Sequence, residues 1–178
     1  MPDRRTQLLD AALAILAHKG MKGLTHRAVD AAAHLPEGTT SNYYRNRAAL
    51  VEAVLERLLE RDAALLQDQG SAGPPQNIEE LAGQLAALVI ALAGPHAGLT
   101  RARLALSLDK PESVTAGHFR LVGGLEQALA ALGVADAPAR ARDVADYGDG
   151  VVLHLLTVRR DEQPDPAAIA AAVRRLLG

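Results

Sequence analysis

HLPEGTTSNYYRNRAALVEAV, residues 34–54, carries two of the chain's three tyrosines and a proline and glycine within its first five positions. The break at 34–38 is followed by five short polar or phenolic residues, a second tyrosine, and then apolar residues returning at helical spacing. A proline suits the first turn of a helix, where the missing N–H costs nothing. The stretch therefore predicts a short third helix over 36–44. Asn46 is a good cap for a fourth helix, reaching about residue 67, whose inner face reads Leu50, Val51, Val54, Leu55, Leu58 and Leu59. A short polar helix ending in two aromatics raises the question of what it touches.

Upstream, Leu8, Leu9, Ala12, Leu13, Ile15 and Leu16 form one apolar stripe of a first helix over 4–18, and Gly20 stands where a positive φ is expected. Thr25 caps a second, short helix lined by Leu24, Ala28, Val29 and Ala32. Downstream, GSAGPPQN at 70–77 reads as a linker. Apolar helical patterns follow over 78–93, 99–108, 113–132, 139–158 and 166–177. The expected fold is all-α with about nine helices: a three-helix unit at 1–47, a connecting helix at 48–69, the linker at 70–77 and a larger helical domain at 78–178.

Composition narrows the classes. Of 178 residues, 49% are hydrophobic but only 2% aromatic, so Ala and Leu supply the core and favour helices. No uninterrupted apolar run of membrane-spanning length and no leader pattern is present, so a soluble cytoplasmic protein without a membrane partner is expected. The lack of cysteine excludes disulfides and thiolate chemistry. Histidines 18, 26, 34, 96, 118 and 154 show no ligand spacing, so neither a metal nor a cofactor is expected. Phosphate-loop and nucleophile-elbow motifs are missing, which argues against an enzyme. The net charge of −2 hides an uneven split: residues 1–61 hold nine Lys/Arg against seven Asp/Glu, and the rest ten against fourteen.

Two short helices joined by a tight turn, with another packed in front, make a helix-turn-helix unit. Its second helix buries one face and presents the other to base edges and phosphates. Thr39, Thr40, Ser41, Asn42 and Tyr43 suit that outer face, being able to hydrogen-bond and mostly short, whereas Tyr44 is placed to pack inward. With LLDAALAILAHKG, GLTHRAVDAAA and LPEGTTSNYYRNRAALVEAV in that order, residues 5–59 resemble the tetracycline-repressor family of transcriptional regulators. The resemblance implies that Thr25 and Arg27 anchor phosphates. It implies that Glu37, Gly38, Thr39, Ser41, Asn42 and Tyr43 reach bases or backbone, and that Arg47 takes the place of a phosphate-gripping lysine. The chain departs from the family pattern at His34, where a turn glycine is usual, at Thr40 and Ser41, where Leu and Tyr are common, and at Glu37, a carboxylate facing phosphates.

For the larger half the resemblance implies a small-molecule effector pocket and a homodimer interface. Two reading heads at fixed separation on a palindromic operator would give useful affinity, and two-fold dimers are the commonest way to hold them. Helices 78–93, 99–108 and 113–132 are the expected pocket walls, with Arg101, Arg103, His118, Tyr147 and His154, and also Arg120 and Asp146, as candidate ligand contacts. With few aromatic residues in this half, an aliphatic or small polar effector is favoured. Val144, Gly148, Val151, Val152 and Leu155 are the candidate dimer residues. The protein is therefore read as a ligand-responsive repressor binding double-stranded DNA. The competing reading is a small helical enzyme or ligand-sequestering protein whose first third only resembles a DNA reader. On the first reading, Tyr43→Ala should weaken operator binding, measured by titration of labelled duplex, with the melting temperature nearly unchanged.

Overall fold

The computed structural model describes residues 3–69 and 73–178, so part of the expected linker, 70–72, lies outside the described residues. Among them nine helices and no strand occur: α1 Arg4–Gly23, α2 His26–Ala32, α3 Thr39–Tyr43, α4 Arg47–Gln69, α5 Ile78–Ala93, α6 Ala97–Asp109, α7 Pro111–Ala131, α8 Ala137–Leu156 and α9 Pro166–Leu177. By packing they form two compact units, Met1–Leu66 with Gly98–Thr115, and Gln67–Ala97 with Ala116–Gly178. This division is not the linear one expected from the sequence. Helix α6 presents Ala102 and Leu106 to the core of the first unit, although α5 before it and most of α7 after it belong to the second.

The first unit is organised by the apolar stripe of α1. Leu8, Ala12 and Leu16 are buried against Leu24, Val29, Leu50, Val54 and Leu58. Gly20, at φ 61°, breaks α1 near its end, the left-handed φ that its position in the sequence predicts. Arg4 and Arg5 lie in the first turn of α1. The N-caps of Thr25 and Asn46 also form, each side-chain oxygen accepting from the backbone N–H three residues on, Ala28 and Ala49. Pro36 differs from expectation. It sits in a turn closed by the Thr39 N–H on its carbonyl, and α3 begins three residues later, leaving a helix of five residues. Arg57 joins α4 to α1 through a two-pronged contact with Asp10 at 2.8 and 3.1 Å, and its guanidinium is held charged chiefly by that carboxylate.

In the second unit α5 packs on α8 and α9, and α8 on α9. Leu81, Ala82, Ala86 and Val89 of α5 meet Ala141, Val144 and Val152 of α8 and Ile169, Ala170 and Val173 of α9. Asn77 and Glu80 cap α5, Asp165 caps α9 with Pro166 in the first turn, and Arg174 pairs with Glu79. No single helix among the described residues is long and apolar enough to cross a membrane.

Tyr44 is 5% exposed and part of the first core, as its expected inward position requires. Tyr44→Ala should therefore lower unfolding free energy by about 3–5 kcal/mol in a denaturant titration. A variant as stable as the parent would show that the α3 faces are rotated.

Candidate nucleic-acid interface and apolar pocket

Helix α3 is too short to hold its own orientation, so its position must come from what it is tied to. The tie is Asp30, at the end of α2 and only 2% exposed. Its carboxylate accepts from the Gly38 N–H at 2.8 Å and the Thr40 N–H at 2.7 Å, and also from the Thr40 hydroxyl. Two of the orphan N–H groups at the start of α3 are thereby satisfied by one buried side chain. Burial pushes the Asp30 carboxyl up, but the hydrogen bonds from Thr40 and Gly38, with His26 nearby, outweigh it and hold the group below its ordinary range. At the other end of α3 the His26 Nε2–H donates to the Tyr44 carbonyl at 2.7 Å. The turn between them takes two positive φ values, His34 at 55° and Gly38 at 91°. His34 thus occupies a conformation for which glycine is favoured, one that histidine tolerates better than most residues.

This mount decides which predicted residues face outward. Thr40 does not. It is fully buried, because its hydroxyl and N–H are both turned onto Asp30, which removes it from the expected outer face. Ser41 and Asn42 are exposed and make no side-chain hydrogen bond among the described residues. Tyr43 is 47% exposed, its ring 6.4 Å from that of buried Tyr44. Thr39 is half-buried and donates its hydroxyl to the Pro36 carbonyl at 2.6 Å. Gly38 is the N-cap of α3, and Thr25 that of α2, exposed, with its oxygen accepting from Ala28. Arg27 and Glu37 are exposed and face each other at 3.7 Å. Arg47 differs from a free phosphate-gripping cation, because its Nη2 donates to the Met21 carbonyl at 2.7 Å, joining the start of α4 to the end of α1. Asp30 and His26, the two residues that position α3, escaped the sequence reading. An Asp in a helical pattern looks like a solvated charge, and only its spacing of eight and ten residues to Gly38 and Thr40 hinted otherwise.

Within the second unit, α5, α7 and α8 enclose a cleft of about 90 Å³. Leu85, Val89 and Leu92 line it from α5, Leu121, Val122 and Leu125 from α7, Val144, Gly148 and Val152 from α8, and Val173 from α9. Polar groups come from His118, Tyr147 and Asp149. Of the expected ligand contacts, His118 and Tyr147 are thus brought together. Arg101, Arg103 and His154 are not among the lining residues, nor are Arg120 and Asp146, and α6 forms no wall. Arg103 is engaged elsewhere, pairing with Asp62 of α4 at 2.9 Å within the first unit. The expected dimer residues are also redistributed. Val144 and Val152 are buried in this monomer, and a Cβ at Gly148 would meet Val89 at 3.6 Å, so these three face the pocket. Val151 and Leu155 are half-buried, Val151 against the same core.

Asp30→Asn should cost about 1–3 kcal/mol in urea unfolding at neutral pH, since an amide cannot accept from all three donors. The depressed folded-state pKa means that the carboxylate stabilises fully above its unfolded value of about 3.9 and ceases to do so as pH falls through the lower folded value. The difference between parent and variant should accordingly shrink in acid; a constant difference would assign the effect to packing.

Residues 8–54 match the model of a family described as bacterial regulatory proteins, tetR family. No match is found among proteins of curated function. Among solved structures, the chain is 26% identical to SCO1917, a TetR-family member from Streptomyces coelicolor A3, covering 99% of each chain with a TM-score of 0.75. It is 26% identical to the multidrug binding protein EbrR complexed with malachite green, again over 99% of each chain, with a TM-score of 0.74. A transcriptional regulator from Rhodococcus sp. Rha1, at 16% identity and a TM-score of 0.79 over 99% of this chain and 95% of that one, shares the fold. A helix-turn-helix mounted on a buried aspartate and the matched N-terminal segment make residues 8–54 similar to the tetR family of bacterial regulatory proteins, and the full-length likeness extends the shared fold over the whole chain.

Proposed function

We propose that the protein is a sequence-specific repressor that binds a palindromic operator as a homodimer in the cytoplasm and is released by a small-molecule effector. The observation that carries the reading is the outward surface of α3. Ser41, Asn42 and Tyr43 are exposed while Asp30 anchors the helix from beneath, so a rigidly held polar face is offered with nothing in its own unit to satisfy it. Such a face suits direct readout in the major groove, with Thr25, Arg27, Gly38 and Thr39 flanking it for backbone contacts, while Arg47 would reach phosphate only with the guanidinium nitrogens not given to Met21. Residues 1–47 are the reading head and 48–69 the connecting helix on this reading. Effector binding and dimerisation belong to 78–178, with α8 and α9 meeting their symmetry mates.

The cleft lined by α5, α7 and α8 is the proposed effector site, His118 and Tyr147 being its hydrogen-bonding groups. EbrR, a relative across the full chain, holds imidazole in one complex and malachite green in another. The present lining is mostly Leu and Val, which favours an aliphatic body with one polar group, since burying an unpaired charge there is costly. At about 90 Å³ the cleft is smaller than the roughly 300–1,000 Å³ usual for ligand pockets, so binding would part its walls. Two of those walls, α5 and α7, are joined directly to α6, whose apolar face belongs to the core of the reading head. Coupling of about 1–3 kcal/mol along that route would suffice to lower operator affinity.

Selection of bound fragments from a random DNA pool should recover an inverted repeat with half-sites about one helical turn apart. Recovery of no common sequence would sink the reading. Val144→Phe, which fills the cleft, should abolish uptake of an apolar fluorescent dye such as Nile red while operator binding persists. Retained dye uptake would place the effector site elsewhere.

A further inference from the structure

Glu37 is the one feature of the reading face whose charge opposes binding to DNA. Its location is not accidental to a floppy side chain. The next residue, Gly38, has its N–H fixed by buried Asp30, and the preceding Pro36 carbonyl is held by Thr39. The Glu37 backbone is thus pinned on both sides, and its carboxylate lies 3.7 Å from Nε of Arg27, across the turn on α2. Both side chains are open to solvent, at 74% and 83%. An exposed pair at this distance contributes little to folding, so stability does not account for it. The first 61 residues carry only two more positive than negative charges, so each cation on this face weighs heavily in contact with phosphate.

We propose that Glu37 is a specificity-determining residue: it holds Arg27 off the phosphates of non-cognate DNA and releases it when a cytosine amino group in the cognate major groove takes the carboxylate. The proposal rests on the DNA-binding reading above. On a random duplex the carboxylate finds no donor, Arg27 stays with it, and one phosphate contact per head is lost. On a sequence that places a cytosine edge at Glu37, the N4 amino group donates to the carboxylate and Arg27 turns to the backbone. Discrimination then arises from a contact withheld from wrong sequences as well as one granted to the right one.

The test is a salt titration of a random-sequence duplex and of the pool-selected operator against the parent, Glu37→Gln, Arg27→Ala and the double variant. Glu37→Gln should bind the random duplex about threefold or more tighter, with a log–log salt slope steeper by about 0.9 per head. Pools selected by this variant should lose a cytosine preference at one position of each half-site. In the Arg27→Ala background the gain should shrink to the smaller part that comes from removing the carboxylate's own repulsion of phosphate, and the steeper salt slope should disappear. An unchanged random-duplex affinity in Glu37→Gln, or a gain that persists in full without Arg27, overturns the proposal. A parent protein that binds neither duplex at any salt overturns the DNA-binding reading beneath it.

Discussion

A buried carboxylate beneath a five-residue helix is what holds the exposed polar face of α3 in place. Helix α3 has too few residues to be stable by itself, and Tyr44, just past its end, is buried in the core. Asp30 replaces the missing helical hydrogen bonds at the N-terminal end with contacts to Gly38 and Thr40, and His26 captures the Tyr44 carbonyl at the other. Both anchors come from α2, which therefore ties α3 at both its ends. The polar residues on the far side of α3 are then free of any structural duty, which is the condition for using them in recognition.

The same economy explains Thr40. A threonine beside Ser41 and Asn42 looks like one more polar contact, yet its full burial shows a core position filled by a hydroxyl. A buried hydroxyl requires a partner, and Asp30 supplies it while gaining the donor that keeps its own charge stable away from water. The two residues solve each other's desolvation, and they depend on each other for it. Charge on the outside is handled in the opposite way: Arg27 and Glu37 remain solvated and weakly paired, where exchange for another partner costs little.

In the second unit the small side chains of α8 serve the pocket. Gly148 lies close to Val89, and Val144 and Val152 complete an aliphatic wall with α5. Val144, Gly148 and Val152 therefore close a cavity within the chain. Arg103, paired with Asp62, ties α6 to α4, and with it α6 belongs to the first unit and lines no part of the pocket.

The sequence by itself determined the helical class, the order of the helices, the caps at Thr25 and Asn46, the positive φ at Gly20 and the inward placement of Tyr44. These follow from local rules, periodicity and capping, which act over a few residues and are written in neighbouring letters. The start of α3, the burial of Asp30 and Thr40, the tie from Arg47 to Met21, the allegiance of α6 and the side of α8 that meets the pocket were decided only by tertiary structure. Each depends on a partner eight or more residues away, as with Asp30 and Gly38 or Asp62 and Arg103, and a single chain's pattern records that a residue is polar or apolar without recording which distant group it will meet.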